Sequence, residues 1–366
     1  MRMALLTSAT GWRGSAASYA KLAAGLSQRG HLVRLITTAS ALADRFSGIN
    51  LPVVEIRGRN TGPREVAALQ RVLRQMRAEV IVVDTPRDLR LAVWAGLIQG
   101  TRVVYRYNLN YRPPRTHLAD RLYARRVAAW VFQSQFIRAD AVSRQPWIAR
   151  ASGYRIPNGY DTTRFAPRPE AGLAFRHKLQ IPHDALLVLT TAKLVRNKGH
   201  EVAIEALKRV WRDEARLMYV ISGDGPRDAE LRGLASAAGL PARFTGLLDL
   251  DELIAAISAA DLVLHPSIQE IFPNAVGEAM SCARAVVAAD AGGTGELLGR
   301  DGSTGVLVAP GNPDAMAAGV RDLLKDPARR ARMGSAARRR IEAEFPLDRM
   351  ISGYEAALLQ VVARRG

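Results

Sequence analysis

Two glutamates eight residues apart, Glu270 and Glu278, are the residues best placed by type and spacing to do chemistry. They belong to the segment 265–280, HPSIQEIFPNAVGEAM, in which a loop follows an apolar stretch and leads into a helix. Such a loop directs backbone N–H groups toward a helix N-terminus, a setting suited to phosphate or sugar oxygens. A helix dipole alone also favours one acidic residue in the first turns. The whole string predicts that Glu270 accepts hydrogen bonds from sugar hydroxyls and Glu278 from a ribose.

The two lysines of the segment 193–199, KLVRNKG, form the second candidate group. The chain has only six lysines against 46 arginines, so two here are more than ordinary surface lysines would give. No Asp-x-Asp motif or other pair of carboxylates stands in a suitable place for a metal ion. We therefore expect no metal and no cofactor.

Strands and helices that could position these residues alternate along the whole chain. The first half has strand candidates at 4–7, 32–37, 80–83, 102–105 and 131–132, with helices over 16–29 and 64–77. The second half has strand candidates at 186–191, 217–222, 243–245, 262–265, 285–289 and 305–308, with helices over 200–212, 228–238, 250–259, 274–281 and 313–325. This alternation predicts parallel, doubly wound α/β sheets. At about 150 residues per domain the length predicts two domains, 1–165 and 166–346, joined near a proline-containing linker at 166–169.

Several short motifs occur in an order that resembles a known enzyme family. The segment 193–199 is similar to Arg-Leu-x3-Lys-Gly, 222–226 (SGDGP) to a Gly-x-Gly-Pro turn, and 157–161 (PNGYD) to Pro-Asn-Gly-Val-Asp; 291–296 (AGGTGE) and 305–308 (GVLV) resemble later elements. With the Glu-x7-Glu string, they resemble the retaining GT-B glycosyltransferases of family GT4, also called glycosyltransferase group 1. That fold consists of two Rossmann-like domains facing a central cleft. Its last helix, here about 347–366, packs back on the first domain.

The resemblance implies a role for each candidate residue. Glu278 binds the ribose hydroxyls of a nucleotide-diphosphate sugar, and Glu270 orients the donor sugar. Lys198 and Lys193 neutralise the leaving diphosphate as it gains charge in the transition state, which makes a metal ion unnecessary. The remaining donor-side residues are backbone amides near Ile271, Phe272 and Asn274, the side chain of Arg196, and Gly14, which lets the first domain approach the phosphates.

Two departures from the family pattern concern charge and the acceptor side. The family usually has arginine at the position of Lys193, and lysine lacks the bidentate guanidinium fork, so Arg196 is expected to share its task. The segment 104–111, VYRYNLNY, has no histidine where many relatives carry one after a central strand. Asn108 and His117 are therefore the candidates on the acceptor side, with a stray helical histidine as the alternative for His117.

The net charge of +18 is concentrated in the first half of the chain. Residues 1–165 contain 26 basic and 9 acidic side chains, whereas the remaining residues contain 26 and 25. A basic half suggests an anionic acceptor, a membrane surface or nucleic acid; biased composition is the alternative. Helices at 64–77 and 121–126 have basic faces that suit anionic lipid, or equally a solvated surface. Aromatic residues are not interleaved with basic ones as in nucleic-acid modules, so we expect no nucleic acid.

The function that best fits these patterns is a retaining, metal-independent transfer of sugar from a nucleotide-diphosphate sugar to an anionic or lipid-linked glycan, as in cell-envelope polysaccharide or lipopolysaccharide. A sugar-nucleotide epimerase of the same fold, or a nucleotide- or nucleic-acid-binding protein with a basic first half, are the alternatives. The first apolar run is too short for a signal peptide, no window approaches 18 uncharged apolar residues, and one cysteine permits no intrachain disulfide. We expect a cytoplasmic protein, attached peripherally to the inner face of a membrane.

Overall fold

The computed structural model describes residues 1–8, 15–38, 51–56, 58, 61–97, 99–107 and 124–364, and the chain divides into two units. The first comprises Met1–Gly159 with Asp348–Gly366, and the second Tyr160–Leu347. The division falls before the boundary predicted at Phe165, because Tyr160 and Phe165 both belong to the hydrophobic core of the second unit. Three predicted site residues, Gly14, Asn108 and His117, lie outside the described residues. The first half of the predicted basic helix 121–126, residues 121–123, does so too.

In the first unit, seven parallel strands are described, in the order β3-β2-β1-β4-β5-β6-β7. They are β1 Arg2–Thr7, β2 Leu32–Thr37, β3 Val53–Glu55, β4 Val80–Val83, β5 Arg102–Arg106, β6 Ala129–Phe132 and β7 Gly153–Arg155. The described helices are α1 Ser15–Gln28, α2 Pro63–Gln75, α3 Pro86–Leu97 and α4 Gln135–Arg144, with a 3₁₀ turn at Pro146–Arg150. The unit carries 28 of the 52 basic and 10 of the 34 acidic residues, a net charge of +18.

The second unit has a six-stranded parallel sheet in the order β10-β9-β8-β11-β12-β13. Its strands are β8 Leu186–Thr191, β9 Leu217–Ser222, β10 Ala242–Gly246, β11 Leu262–His265, β12 Val286–Ala289 and β13 Val306–Val308. Its helices are α5 Pro169–Lys178, α6 His200–Trp211, α7 Asp228–Ala237, α8 Leu250–Ala259, α9 Asn274–Ser281, α10 Thr294–Leu298, α11 Pro313–Lys325 and α12 Pro327–Glu344. With 24 basic and 24 acidic residues, this unit is neutral.

The most buried strands form where apolar residues follow one another, because both faces of a parallel sheet are covered by helices. All six residues of β9 and all four of β4 are buried. Helix starts follow local capping rules: Asp249 accepts from the backbone N–H of Glu252, whose side chain accepts from Asp249 in return, a capping box for α8. The two-sheet α/β architecture predicted from the alternation is thereby confirmed.

The last helix, α13 (Leu347–Ala363), packs against α1 within the first unit. Gly25 of α1 leaves room for the side chain of Ile351, since a Cβ at Gly25 would lie 2.1 Å from Ile351 Cδ1. Glu355 accepts from Arg29 at 2.6 Å and from His31 at 2.7 Å. These contacts join the two ends of the chain in one unit. No helix in the described ranges is long and apolar enough to cross a membrane.

Replacing Gly25 with alanine tests this helix contact. We expect Gly25→Ala to lower the free energy of unfolding by about 1–3 kcal/mol, because the added methyl group overpacks the contact with Ile351. Gly233→Ala in α7 is the matched control, since nothing lies within 4 Å of a Cβ there. That change should raise stability by about 0.5–1 kcal/mol through helix propensity alone. Urea unfolding measures both, and a stabilised Gly25→Ala variant would contradict the contact.

Candidate functional site

The candidate residues of the second unit gather at the carboxyl edge of its sheet, where the strand order reverses. The chain runs from β8 outward through β9 to β10, and then returns to place β11 on the other side of β8. The crevice outside such a reversal is the usual ligand position in open α/β sheets. The segment 193–199 follows β8, and the segment 266–273 follows β11. The two strongest sequence motifs therefore flank the reversal.

Glu270 is the centre of the site. Its Oε1 atom lies 2.5 Å from Lys198 Nζ and 3.1 Å from Nε2 of His265, the last residue of β11. The side chains of Glu270 and His265 are 10% and 4% exposed, so water screens these two groups weakly. A carboxylate can only accept, so Nε2 of His265 carries the proton in this hydrogen bond. Glu270 is thus held by a cation and a neutral or charged donor on one oxygen.

These neighbours keep Glu270 ionised. Burial raises the pKa of its carboxyl group, but the hydrogen bond from His265 and the charge of Lys198 outweigh burial and lower the pKa from its ordinary 4.5 to about 2. A fixed negative charge beside the strand reversal can accept hydrogen bonds from hydroxyl groups of a ligand. It also neutralises Lys198 until another anion competes for that cation.

The loop that carries Lys198 is held against the loop that carries Glu270. Gly199, with φ of +66°, lies so close that a Cβ there would come within 2.2 Å of the carbonyl oxygen of Pro266. The carbonyl oxygen of Asn197 accepts from the Ser267 hydroxyl and from the Ile268 backbone N–H, both at 3.0 Å. Only glycine combines this backbone conformation with such an approach. The Lys-Gly pair in the motif therefore sets the position of the lysine.

His200 anchors the other end of the same loop. Its Nε2 donates to the carbonyl oxygen of Lys193 at 3.2 Å, and its ring is buried. Burial lowers the pKa of His200, which leaves the ring uncharged next to Lys198. A neutral ring adds no repulsion to the cations of the loop.

Helix α9 presents Glu278 one turn after its start. The Tyr160 hydroxyl donates to the carbonyl oxygen of Pro273 at 3.2 Å, and its ring packs on Gly277, where a Cβ would come within 2.1 Å. Burial raises the pKa of Tyr160, and the charges of Glu278 and Glu270 raise it further. The side chain of Tyr160 therefore fixes the start of α9. The first N–H groups of any helix have no carbonyl partner within that helix.

The backbone of Glu270 is held from the other side by the loop after β12. A Cβ on Gly292, with φ of +58°, would lie 1.7 Å from the carbonyl oxygen of Glu270. The N–H of Gly293 donates to the carbonyl oxygen of Ile271 at 3.1 Å. The segment 291–296 thus acts on the site through backbone packing.

The structure separates the predicted donor-side residues by position. Lys198 and Glu270 are in direct contact, whereas Lys193 and Arg196 are exposed on the same loop. The ring of Phe272 is buried, 5.5 Å from that of Phe345, so only its backbone can face a ligand. Ile271 and Asn274 are half-buried at the entry to α9. In the described part of the chain, no three His, Cys, Asp or Glu side chains are grouped as metal ligands.

Sequence analysis gave no role to His265, although it begins the string that contains both glutamates. The available signal was its position at the end of a buried strand, five residues before an acidic residue of the following loop. A second unforeseen residue is Arg106 at the end of β5, which is buried and donates to Asn158 at 2.7 Å and to Ser18 at 3.2 Å. This contact ties Asn158 to the sheet of the first unit.

Comparison with known proteins identifies the class. Residues 173–340 match the family described as glycosyl transferases group 1, and residues 12–164 match glycosyltransferase family 4. With two Rossmann-like sheets and the motifs above, the chain belongs to the group 1, or GT4, glycosyltransferases of the GT-B fold. The predicted family and fold class are confirmed.

Solved structures and curated relatives with similar chains fall in the same class. A glycosyltransferase from Rickettsia africae has a TM-score of 0.87 at 16% identity, covering 99% of both chains. Anabaena Alr3699/HepE, in complex with UDP and glucose, has 0.86 at 20% identity, over 98% of this chain and 100% of that one. A GDP-mannose-dependent phosphatidylinositol monomannoside mannosyltransferase of Corynebacterium glutamicum is 30% identical over 203 residues, 53% of either chain. This chain spans about half the length of the curated relatives it matches.

The low pKa of Glu270 predicts a pH-dependent contribution to stability. Its folded value, about 2, is below its ordinary value of 4.5, so the ionised form favours folding above about pH 4.5. This contribution, roughly 3 kcal/mol, is lost as the pH falls from about 4.5 to 2. The difference in unfolding free energy between wild type and Glu270→Gln should shrink over that window.

Urea unfolding at a series of pH values measures this difference. Glu342→Gln on the exposed face of α12 is the control, and should change stability by less than about 0.5 kcal/mol throughout. A Glu270→Gln difference that stays constant between about pH 5 and pH 3 would show that Glu270 is not selectively ionised in the folded state.

Proposed function

We propose that the protein is a retaining, metal-independent glycosyltransferase, which moves a sugar from a nucleotide-diphosphate sugar to an anionic or lipid-linked glycan. The observation that carries the proposal is the contact of Glu270 with Lys198 and His265 at the strand reversal of the second unit. In this proposal Glu270 accepts hydrogen bonds from sugar hydroxyls, and Lys198 beside it binds phosphate oxygens. Family membership and the UDP and glucose bound by HepE support this assignment.

The donor binds along the carboxyl edge of the second sheet in this proposal. Glu278, one turn into α9, accepts hydrogen bonds from the ribose hydroxyls. The backbone amides at the start of α9 and near Ile271 and Phe272 are proposed to face the donor, where a helix N-terminus favours an anion. Glu270 accepts from hydroxyls of the sugar. Because Glu270 is ionised, these hydrogen bonds are charge-assisted and orient the ring firmly.

Lys198 stabilises the leaving group. The sugar–phosphate bond breaks with both electrons going to the diphosphate, which becomes more negative, and Lys198 lies within reach of the position next to Glu270. Lys193 and Arg196, exposed on the same loop, add positive charge. Preorganised cations of this kind act mainly on the transition state. The chain's own charges thus supply what a metal would otherwise provide.

The incoming hydroxyl attacks from the face that the diphosphate leaves. In this account a phosphate oxygen of the leaving group accepts the proton of the attacking hydroxyl. The new bond then forms on the same face as the old one, and the anomeric configuration is retained. This route is a hypothesis that requires no enzyme carboxylate as nucleophile.

The acceptor is proposed to be anionic or lipid-linked, and to be met at the inner face of a membrane. The whole net charge of +18 belongs to the first unit, and the second is neutral. The Corynebacterium relative acts on a phosphatidylinositol mannoside, and a WaaG structure with a TM-score of 0.72 belongs to lipopolysaccharide biosynthesis.

We expect the protein to float with vesicles containing phosphatidylglycerol and not with vesicles of phosphatidylcholine alone, because its first unit is positively charged. Equal flotation with both kinds of vesicle would refute charge-directed attachment.

The donor is tested by incubating the protein with UDP-, GDP- and ADP-sugars. We expect one donor to raise the melting temperature and to release nucleoside diphosphate. If no donor binds or turns over, while RNA binds with a salt-dependent affinity, the proposal fails in favour of a nucleic-acid-binding protein.

Two substitutions separate transition-state stabilisation from ground-state binding. Lys198→Ala should lower turnover about 10²- to 10³-fold and change donor affinity less than about tenfold. Glu278→Ala should instead weaken nucleotide binding about 10- to 100-fold. Lys208→Ala on α6 is the matched control, being a surface lysine with one distant carboxylate at 3.9 Å. Wild-type turnover in Lys198→Ala would remove that residue from the mechanism.

A further inference from the structure

A second cationic site lies in the first unit, at the opposite edge of its sheet from the carboxyl ends of the strands. A cavity of about 510 Å³ opens there, and four of its lining residues are arginines: Arg2, Arg74, Arg77 and Arg102. Arg2 begins β1 and Arg102 begins β5, while Arg74 and Arg77 come from the end of α2. Four separate backbone positions thus direct guanidinium groups to one cavity.

These positive charges are only partly neutralised. Glu79 is the one acidic residue among the described lining, and it is engaged by Arg2, whose backbone N–H donates to it at 2.7 Å and whose Nε lies 3.5 Å away. Within the described ranges, Arg74, Arg77 and Arg102 form no ion pair. Arg102 donates to the carbonyl oxygen of Arg364 at 2.6 Å, which fixes its guanidinium but does not cancel its charge.

The helix dipole explains only half of this cluster. Arg74 and Arg77 lie at the C-terminal end of α2, where positive side chains are favoured in any protein. Arg2 and Arg102 enter from the starts of strands, and no dipole of that helix requires them there. Four like charges around one cavity repel each other, so an anion bound among them lowers this electrostatic repulsion.

The cavity continues into a second one that contains exposed leucine side chains. A neighbouring cavity shares Arg2, Glu79 and Val362 and is lined also by Met1, Leu32 and Leu359. Leu32 is 68% exposed and Leu359 48% exposed. A ligand with a phosphate group and an adjoining apolar portion matches both cavities.

We propose that the arginine cavity, formed by Arg2, Arg74, Arg77 and Arg102, binds a phosphate group. Guanidinium groups bind phosphate oxygens through paired, charge-assisted hydrogen bonds, and three of the four here lack a competing carboxylate. The group can belong to a phospholipid headgroup or to free phosphate, and the exposed Leu32 and Leu359 of the neighbouring cavity favour the lipid. This site is separate from the donor residues and does not depend on the proposed glycosyl transfer.

One substitution removes a cavity charge without endangering the fold. Arg77 has a left-handed backbone, with φ of +49°, and ends α2. The N–H of Arg77 donates to the carbonyl oxygen of Arg74, and the N–H of Ala78 donates to that of Leu73. Gly30 closes α1 through the same pattern. Arg77→Gly should therefore fold at least as well as wild type. Gln180→Gly is the matched backbone control, because Gln180 has φ of +52° in the same turn after α5.

The first probe is inorganic phosphate, and its binding is measured by the rise in the melting temperature of the full chain. We expect Arg77→Gly to raise the phosphate concentration needed for a given shift in melting temperature about tenfold. The triple variant Arg74→Gln/Arg77→Gln/Arg102→Gln should abolish the part of that shift which phosphate binding in the arginine cavity causes. Gln180→Gly should behave as wild type. Exposed arginines of the second unit, changed together as Arg212→Gln/Arg332→Gln/Arg339→Gln, control for net charge. The difference between variants isolates this cavity from phosphate bound at the donor residues.

The second probe is vesicles of phosphatidylcholine with and without phosphatidylglycerol. Flotation lost in the cavity variants but kept in the arginine control, with no effect of free phosphate, identifies a lipid headgroup. A phosphate effect lost without a change in flotation identifies a soluble ligand. If both cavity variants respond to phosphate and vesicles as wild type does, or if wild type responds to neither, the inference is overturned, whatever the donor experiments show.

Discussion

The charge of Glu270 is the feature on which the rest of the donor-side architecture depends. A carboxylate in a largely buried position is stable only with hydrogen bonds and opposite charge around it. Here His265 supplies the first and Lys198 the second, both to Oε1. In the proposed function, the diphosphate of the donor competes for Lys198, while hydroxyls of the sugar compete for Glu270. The resting contact therefore keeps both groups positioned and charged for ligands of opposite character.

Backbone proximity, rather than side-chain bonding alone, maintains this arrangement. Gly199 approaches Pro266, and Gly292 approaches Glu270, each too closely for any Cβ. Gly277 receives the ring of Tyr160 in the same way. The motifs around the strand reversal are consequently coupled through packing of loops that lie far apart in sequence. A glycine that seems remote from the chemistry fixes the position of a charged neighbour.

Much of this could be predicted from the sequence, because parallel sheets impose strong local patterns. The strands 186–191, 217–222 and 262–265 and the helix 274–281 were predicted with the bounds observed. The short strands β3 and β7 and the helices α3 to α5 were not predicted. The strands have only three residues each, and the helices have a weak apolar periodicity or start at a proline. Contact between Lys198 and Glu270 was not foreseeable, because it depends on the approach of two loops 72 residues apart. The role of His265 was not predicted for a similar reason, because the turn after β11 is what brings its partner Glu270 to the ring.

The most direct test of the account is a crystal structure of the protein with the nucleoside diphosphate of its preferred donor. The account predicts phosphate oxygens within about 3–4 Å of Lys198 Nζ, and Glu278 within hydrogen-bond distance of the ribose hydroxyls. Glu270 should face the position that the sugar occupies next to the diphosphate. A nucleotide bound elsewhere would contradict the central claim. So would a nucleotide whose phosphates lie away from Lys198 while the ion pair between Glu270 and Lys198 stays intact.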